Sequence, residues 1–216
     1  MNTVIVLDNS ELAKVYQVNS LAIKDFSTIK TVSLKSLAKA FSQVKQDIEL
    51  PVIDAETPPL SVYKIIAVKE SLHYLVLGGS FDKKIRFKSK QRQEAMKEYK
   101  VTTPNCLWQF QYISNKLYHT RLWMFADFSG EATLLSGFSL GNSNDGVCWG
   151  SLKDKILNTR PTDIQKVISY FWSSEFNEDL ANTTLQTKFL NEGKITKAEI
   201  KAGEKITIKQ LVDGIH

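Results

Sequence analysis

Only two cysteines and three histidines occur in 216 residues. So few thiols and imidazoles leave little room for a structural metal. Cys106 and Cys148 show no CxxC spacing, and no HExxH occurs. The reading is therefore of a chain with no metal and no cofactor. No apolar run approaches the length needed to cross a bilayer, so no membrane partner is expected. The opening stretch "MNTVIVLDNSEL" lacks a basic region and its apolar part is short. That argues against a secretory signal and for a cytoplasmic location, where a disulfide would not persist. No internal repeat and no low-complexity tract is visible.

What is present is the composition of a soluble globular protein, 43% hydrophobic and 24% charged. The length suits one large domain or two small ones. Paired prolines in "DAETPPL" resist helix and sheet alike and mark a linker or turn. A division there gives a β/α region over 1–57 and a second region over 58–216.

The net charge is +5, and much of it is local. Residues 82–100, "DKKIRFKSKQRQEAMKEYK", hold Lys83, Lys84, Arg86, Lys88, Lys90, Arg92, Lys97 and Lys100. Acidic residues interleave and no nucleic-acid motif accompanies the run, so it reads as a solvated strand end and an exposed helix.

Strand-like runs dominate. "TVIVL" is one, "AKVYQVNSLAIKDF" continues as a meander, and "SVYKIIAVK", "HYLVLGGS" and "KKIRFK" follow beyond the prolines. "CLWQFQYI", the turn "SNK" and "LYHTRLWMFA" predict a hairpin. Residues 127–146 read as a small-residue loop region. Two helices stand out. "SLKSLAKAFSQVKQDIEL" has Ser33 as N-cap and an apolar face of Leu34, Leu37, Ala38, Phe41, Val44 and Ile48. "TRPTDIQKVISYFW" places Pro161 in the first turn and Ile164, Val167, Ile168 and Phe171 on one face. The tail reads as a turn and a short strand, with Thr207 opening a last helical turn. The pattern predicts an α+β fold, an antiparallel β-meander with flanking helices.

"GNSNDGVCWGS" holds Cys148 after a polar turn in which Gly146 permits positive φ. Two readings stand side by side. A lone cysteine is commonly an inert small apolar residue. A cysteine on an accessible loop can instead act as a nucleophile through its thiolate. Asn142 and Asn144 carry amide donors able to polarise an acyl oxygen. No histidine is near in sequence; only an approach of His119 through the fold would pair one with Cys148. Cys106, in "PNCLWQF", reads as core, and so do Trp149 and Trp172.

The segment "GNSNDGVCWGSLKD" followed by "TRPTDIQKVISYFWSSEFNEDL" resembles the active-site segment of ubiquitin-conjugating enzymes. Gly146, Val147, Cys148, Leu152, Pro161, Val167, Ile168 and Asn177 fall in the family's order. The resemblance is closer to its prokaryotic branch (family D), found as protein B of PRTRC plasmid-type systems. There "LYH", "G-x-VC-x-G" and "F-x-S-x-F" recur; here they are Leu117 to His119, "DGVCWGS" and "FWSSEF". It covers about the second half of the chain. The resemblance implies a ubiquitin-conjugating-like domain within 58–216, with a C-terminal extension. It implies that Cys148 accepts a ubiquitin-like protein as a thioester from an activating-enzyme homologue and passes it on. Gly146 would allow the turn, Asn142 or Asn144 would polarise the acyl group, and Asp154 would orient an incoming amine. The family's His-Pro-Asn tripeptide is absent, with Phe138, Ser139 and Leu140 in its place. The alternative is a non-catalytic binding or scaffold module of a plasmid or mobile-element system. A nucleic-acid-associated role rests on charge and scattered aromatics such as Tyr99 alone, so nucleic acid is not the expected partner.

Overall fold

Short apolar runs broken by turn residues give a chain made mostly of strands. The computed structural model describes residues 2–7, 12–18, 27–33, 49, 51, 60–89, 95–143 and 146–215. Two compact units are distinguished, Met1–Ile48 with Ser129–Ala132, and Glu49–Phe128 with Thr133–His216. In the first, β1 (Asn2–Leu7), β2 (Leu12–Val18) and β3 (Ser27–Ser33) form an antiparallel sheet in sequence order. Ser33 closes β3. The helix expected to follow it lies, over 34–48, outside the described residues, as does the proline pair.

The second unit is mixed α and β, a curled antiparallel sheet with helices at its C-terminal end. Its strands begin with β4 (Leu60–Val68) and β5 (Ser71–Gly78). The pair β6 (Asp82–Phe87) and β7 (Lys97–Thr102) follows, then β8 (Cys106–Ile113), β9 (Lys116–Met124) and β10 (Leu134–Gly137). The helices are α1 (Lys153–Leu157), α2 (Ile164–Ser173), α3 (Thr183–Glu192), α4 (Lys197–Ala202) and α5 (Ile208–Asp213). Between them lie β11 (Glu175–Phe176) and β12 (Glu204–Thr207). The six-stranded sheet runs β12-β10-β9-β8-β5-β4, and a small sheet runs β11-β6-β7.

The β8–β9 hairpin turns on Ser114 and Asn115, at φ 50° and 60°. Two consecutive left-handed residues match the twist of the flanking strands, and Asn tolerates that conformation well. Along β8, residues 106–110 are all buried, because both faces of the sheet are covered. On one face Leu75, Leu77 and Leu107 pack with Leu135 and with Ile208 and Leu211 of α5. On the other, Phe171 of α2 meets Trp108 edge-on at 5.1 Å between centroids and Phe138 at 5.6 Å. Ile164, Val167, Ile168, Phe171 and Trp172 are all buried, as the 3.6-residue spacing predicts.

Three local expectations need correction. The second half of the basic run, expected as helix, contains strand β7, because Val101 pairs into a ladder with β6 and is buried there. The small-residue region contains β10, which pairs with both β9 and β12. The start of the tail, expected as a turn, belongs to helix α4 ahead of the predicted strand, and α3 lies before the tail, where the sequence suggested no element. Asn182 caps α3 through Leu185 N, and Gly193 at φ 73° ends it. Thr196 and Glu199 cap α4 reciprocally. Thr207 caps α5 in the same way, in the place the sequence suggests.

Candidate functional site

Strand β10 covers only the C-terminal end of the outer edge of β9, pairing Ser136 with Met124 and Gly137 with Trp123. An uncovered strand edge leaves polar backbone groups to satisfy. The segment after β10 takes up that role. Phe138 N donates to Leu122 O at 3.3 Å, and Val147 N donates to Thr120 O at 2.9 Å. The cysteine loop thus runs along β9, and its path is set by the ladder it continues.

Its entry is held from α3. Asn182 N donates to Ser139 O at 2.8 Å. Buried Gln186 donates through Nε2 to Leu140 O at 2.7 Å and to Asn177 O at 2.8 Å. Gly141 follows at φ 124°, where a Cβ would lie 2.8 Å from both Asn177 O and Gln186 Nε2. Only glycine fits that corner.

Asn142 adopts φ 56° and is buried. Its Nδ2 donates to Ser174 Oγ at 3.2 Å and to Glu175 O at 2.8 Å. An amide nitrogen carries two hydrogens, so none is left for an acyl oxygen at Cys148. The backbone of Asn142 does meet the cysteine, because Cys148 N donates to Asn142 O at 2.8 Å. Asn144 lies outside the described residues, and so does Asp145.

Cys148 itself is exposed, while Cys106 is buried. Burial pushes the Cys106 thiol well above its ordinary range, and its Sγ donates to Pro104 O at 3.4 Å. Trp149 is half-buried and meets Phe171 edge-on at 6.2 Å, and Trp172 is buried. Both tryptophans therefore pack, as expected. Asp154 is exposed on α1, where its backbone O accepts from Asn158 Nδ2 at 2.8 Å. On the same helix Lys155 Nζ stands 4.3 Å from the Tyr170 ring centroid.

Gly146 does not have a positive φ, contrary to the turn role expected for it. Its requirement is space. A Cβ there would lie 2.8 Å from Cε1 of His119. The histidine distant in sequence thus reaches the loop two residues before Cys148. Arg121 Nε donates to His119 Nε2 at 3.4 Å, which makes that nitrogen an acceptor. The spacing in "LYHTRL" puts His119 and Arg121 on one face of β9, and that alternation was the signal available for the pair.

The same face carries a second polar group, across the sheet. Ser71 Oγ donates to Val68 O at 2.9 Å and lies 3.2 Å from His73 Nε2. A hydroxyl has one hydrogen, so His73 Nε2 is the donor to Ser71. His73 Nδ1 then accepts from Gln109 Nε2 at 3.1 Å. Burial, followed by the charge of Arg121, lowers the His73 pKa from 6.5. Gln109 stands opposite Arg121 in the ladder.

Two cations of the basic run bond to the end of a helix. Lys83 Nζ donates to Ser173 Oγ at 3.3 Å, and Arg86 Nη2 donates to Ser173 O at 3.0 Å. Both cations thereby sit at the negative end of α2. Glu98 faces Arg86 across the ladder, and Lys90 and Arg92 lie outside the described residues. Among the described residues no group of His, Cys, Asp or Glu is placed to hold a metal, and no helix is long and apolar enough to cross a membrane. Compared with family models, curated proteins and solved structures, the chain finds no match.

Proposed function

We propose that the protein is a ubiquitin-conjugating-like carrier in which Cys148 holds a ubiquitin-like modifier as a thioester. The observation that carries this reading is the contrast between an exposed thiol on an anchored loop and a second thiol sealed in the core. The thiolate of Cys148 attacks the carbonyl carbon of the modifier's C-terminal thioester on an activating-enzyme homologue. A new C–S bond forms, the old one breaks, and the activating enzyme's thiolate leaves. An acceptor amine then attacks the same carbon, an amide forms, the proton passes to solvent and Cys148 is released. The exchange joins groups of equal reactivity, so it needs thiolate and access rather than a strong base. The motif order around Cys148 and the α2 packing behind the loop support this role.

One observation favours a second reading, a non-catalytic binding or scaffold module of a plasmid or mobile-element system. The amide hydrogens of Asn142 are committed to Ser174 and Glu175, so that residue cannot serve as an oxyanion donor in this arrangement. The two readings separate in one assay. With a cognate activating enzyme and modifier, the wild type forms an adduct that reductant cleaves. Cys148→Ser gives no adduct or a reductant-stable oxyester, and Cys106→Ser behaves as wild type. An adduct that survives Cys148→Ala, or none from folded protein with its genomic partners, transfers the case to the scaffold reading.

A further inference from the structure

The glycine before the cysteine is defined by a histidine from another part of the chain. Gly146 gains nothing from a left-handed φ; what it lacks is a Cβ that would strike His119. The imidazole is itself held, since Arg121 Nε donates to its Nε2. The strand that carries it also anchors the next loop residue, through Val147 N to Thr120 O. Its facing depends on a bulge. Leu117 pairs with Tyr112 but His119 pairs with Gln111, so Tyr118 is an extra residue on β9. An extra residue reverses the inside–outside phase of a strand, and here it turns Tyr118 out to 66% exposure.

We propose that His119 is a positioning residue for Cys148: its imidazole, oriented by Arg121, is the wall against which Gly146 closes, and that contact sets how the thiol is presented. Residues 146, 147 and 148 are then each fixed by a different partner. A Cβ on Gly146 would meet His119, Val147 is bonded to Thr120, and Cys148 is bonded to Asn142. The inference deepens the carrier reading, on which it rests for the use made of the thiol. The presentation of the thiol is measurable without any modifier.

The test is the rate at which Cys148 of the folded protein reacts with N-ethylmaleimide, read by mass spectrometry. Unreacted Cys106 reports in the same sample that the core is closed. Gly146→Ala shifts the rate by about fivefold or more, the size of effect expected of residues in contact. The same change made in a His119→Ala background shifts it by less than about twofold, because the colliding ring is gone. His119→Gln, whose amide oxygen accepts from Arg121, stays near the wild-type rate, and His119→Leu departs from it. A Gly146→Ala effect of equal size with and without His119 overturns the proposal, as does a wild-type rate for His119→Leu. Should Gly146→Ala expose Cys106, the Gln and Leu variants decide alone. Failure to form a thioester with any partner overturns the carrier reading and leaves these rates standing. Uncoupled rates overturn the role of His119 and leave the carrier reading standing.

Discussion

The surroundings of the two cysteines are opposites in construction. Cys106 opens strand β8, every following neighbour from Leu107 to Phe110 is buried, and stability comes from packed apolar area. Around Cys148 little is buried by shape alone. The loop is held by backbone hydrogen bonds to Thr120 and Asn142, by the side-chain amide of Gln186, and by glycines where side chains would collide. A core built from area tolerates conservative exchange and suppresses thiol chemistry. A loop built from directed bonds leaves the thiol in water and concentrates the sensitivity in few atoms.

The largest expected effect is the one that removes what the two regions share. Phe171 packs on Trp108 of the core and on Trp149 of the loop. Phe171→Ala is expected to cost about 3–5 kcal/mol by the usual transfer and cavity terms. Urea unfolding reads the loss, and a midpoint unchanged from wild type breaks the claim that one ring supports both regions. Val167→Asp, on the buried face of the same helix, brings an unpaired charge into the core and is expected to cost several kcal/mol as well.

Next comes a change that touches the loop and spares the strand core. Gln186→Leu leaves the carbonyls of Leu140 and Asn177 without their side-chain donor. The expected cost is about 1–3 kcal/mol, the desolvation of groups left unbonded. Hydrogen exchange should rise in the cysteine loop while the amides of β5 and β8 keep their protection. Uniform loss of protection would show that loop and core do not differ in the way described.

A third effect depends on pH and belongs to the sheet face behind the loop. The folded pKa of His73 is lowered, first by burial and then by Arg121, so the unfolded chain binds the proton more readily. The stability that neutral His73 confers is complete above the unfolded value of 6.5. It is lost as pH falls from there toward the lower folded value, with a slope of at most one proton. Comparing urea midpoints above and below that window, for wild type and His73→Gln, checks the sign. A wild-type midpoint that rises on acidification in that window contradicts it.

The smallest effect is expected at the basic strand. Lys83 and Arg86 meet the C-terminal end of α2 from partly solvated positions, so replacing both by Ala should cost under about 1 kcal/mol. A loss comparable to that of Phe171→Ala would place these cations among the core supports.

The sequence by itself determined the elements that bury a stripe or a run. "CLWQFQYI" and "LYHTRLWMFA" read as a hairpin about the turn "SNK", and Pro161 opens the 3-10 turn that leads into α2, whose spaced apolar residues mark its buried face. Burial of apolar periodicity is a local property, so neighbouring residues record it. Helix α3 was illegible by that signal because only Gln186 and Phe189 of it are buried, too few for a stripe. Its caps, Asn182 and Gly193, were the marks left to read. The candidate site was legible as a loop cysteine and no further. That Gly146 answers to His119, that Asn142 is bound to Ser174 and Glu175, and that Gln186 pins Leu140 are contacts between residues remote in sequence. Only the tertiary structure decided them, because directed bonds and steric exclusion depend on which surfaces meet, and no periodicity along one strand or helix encodes that meeting.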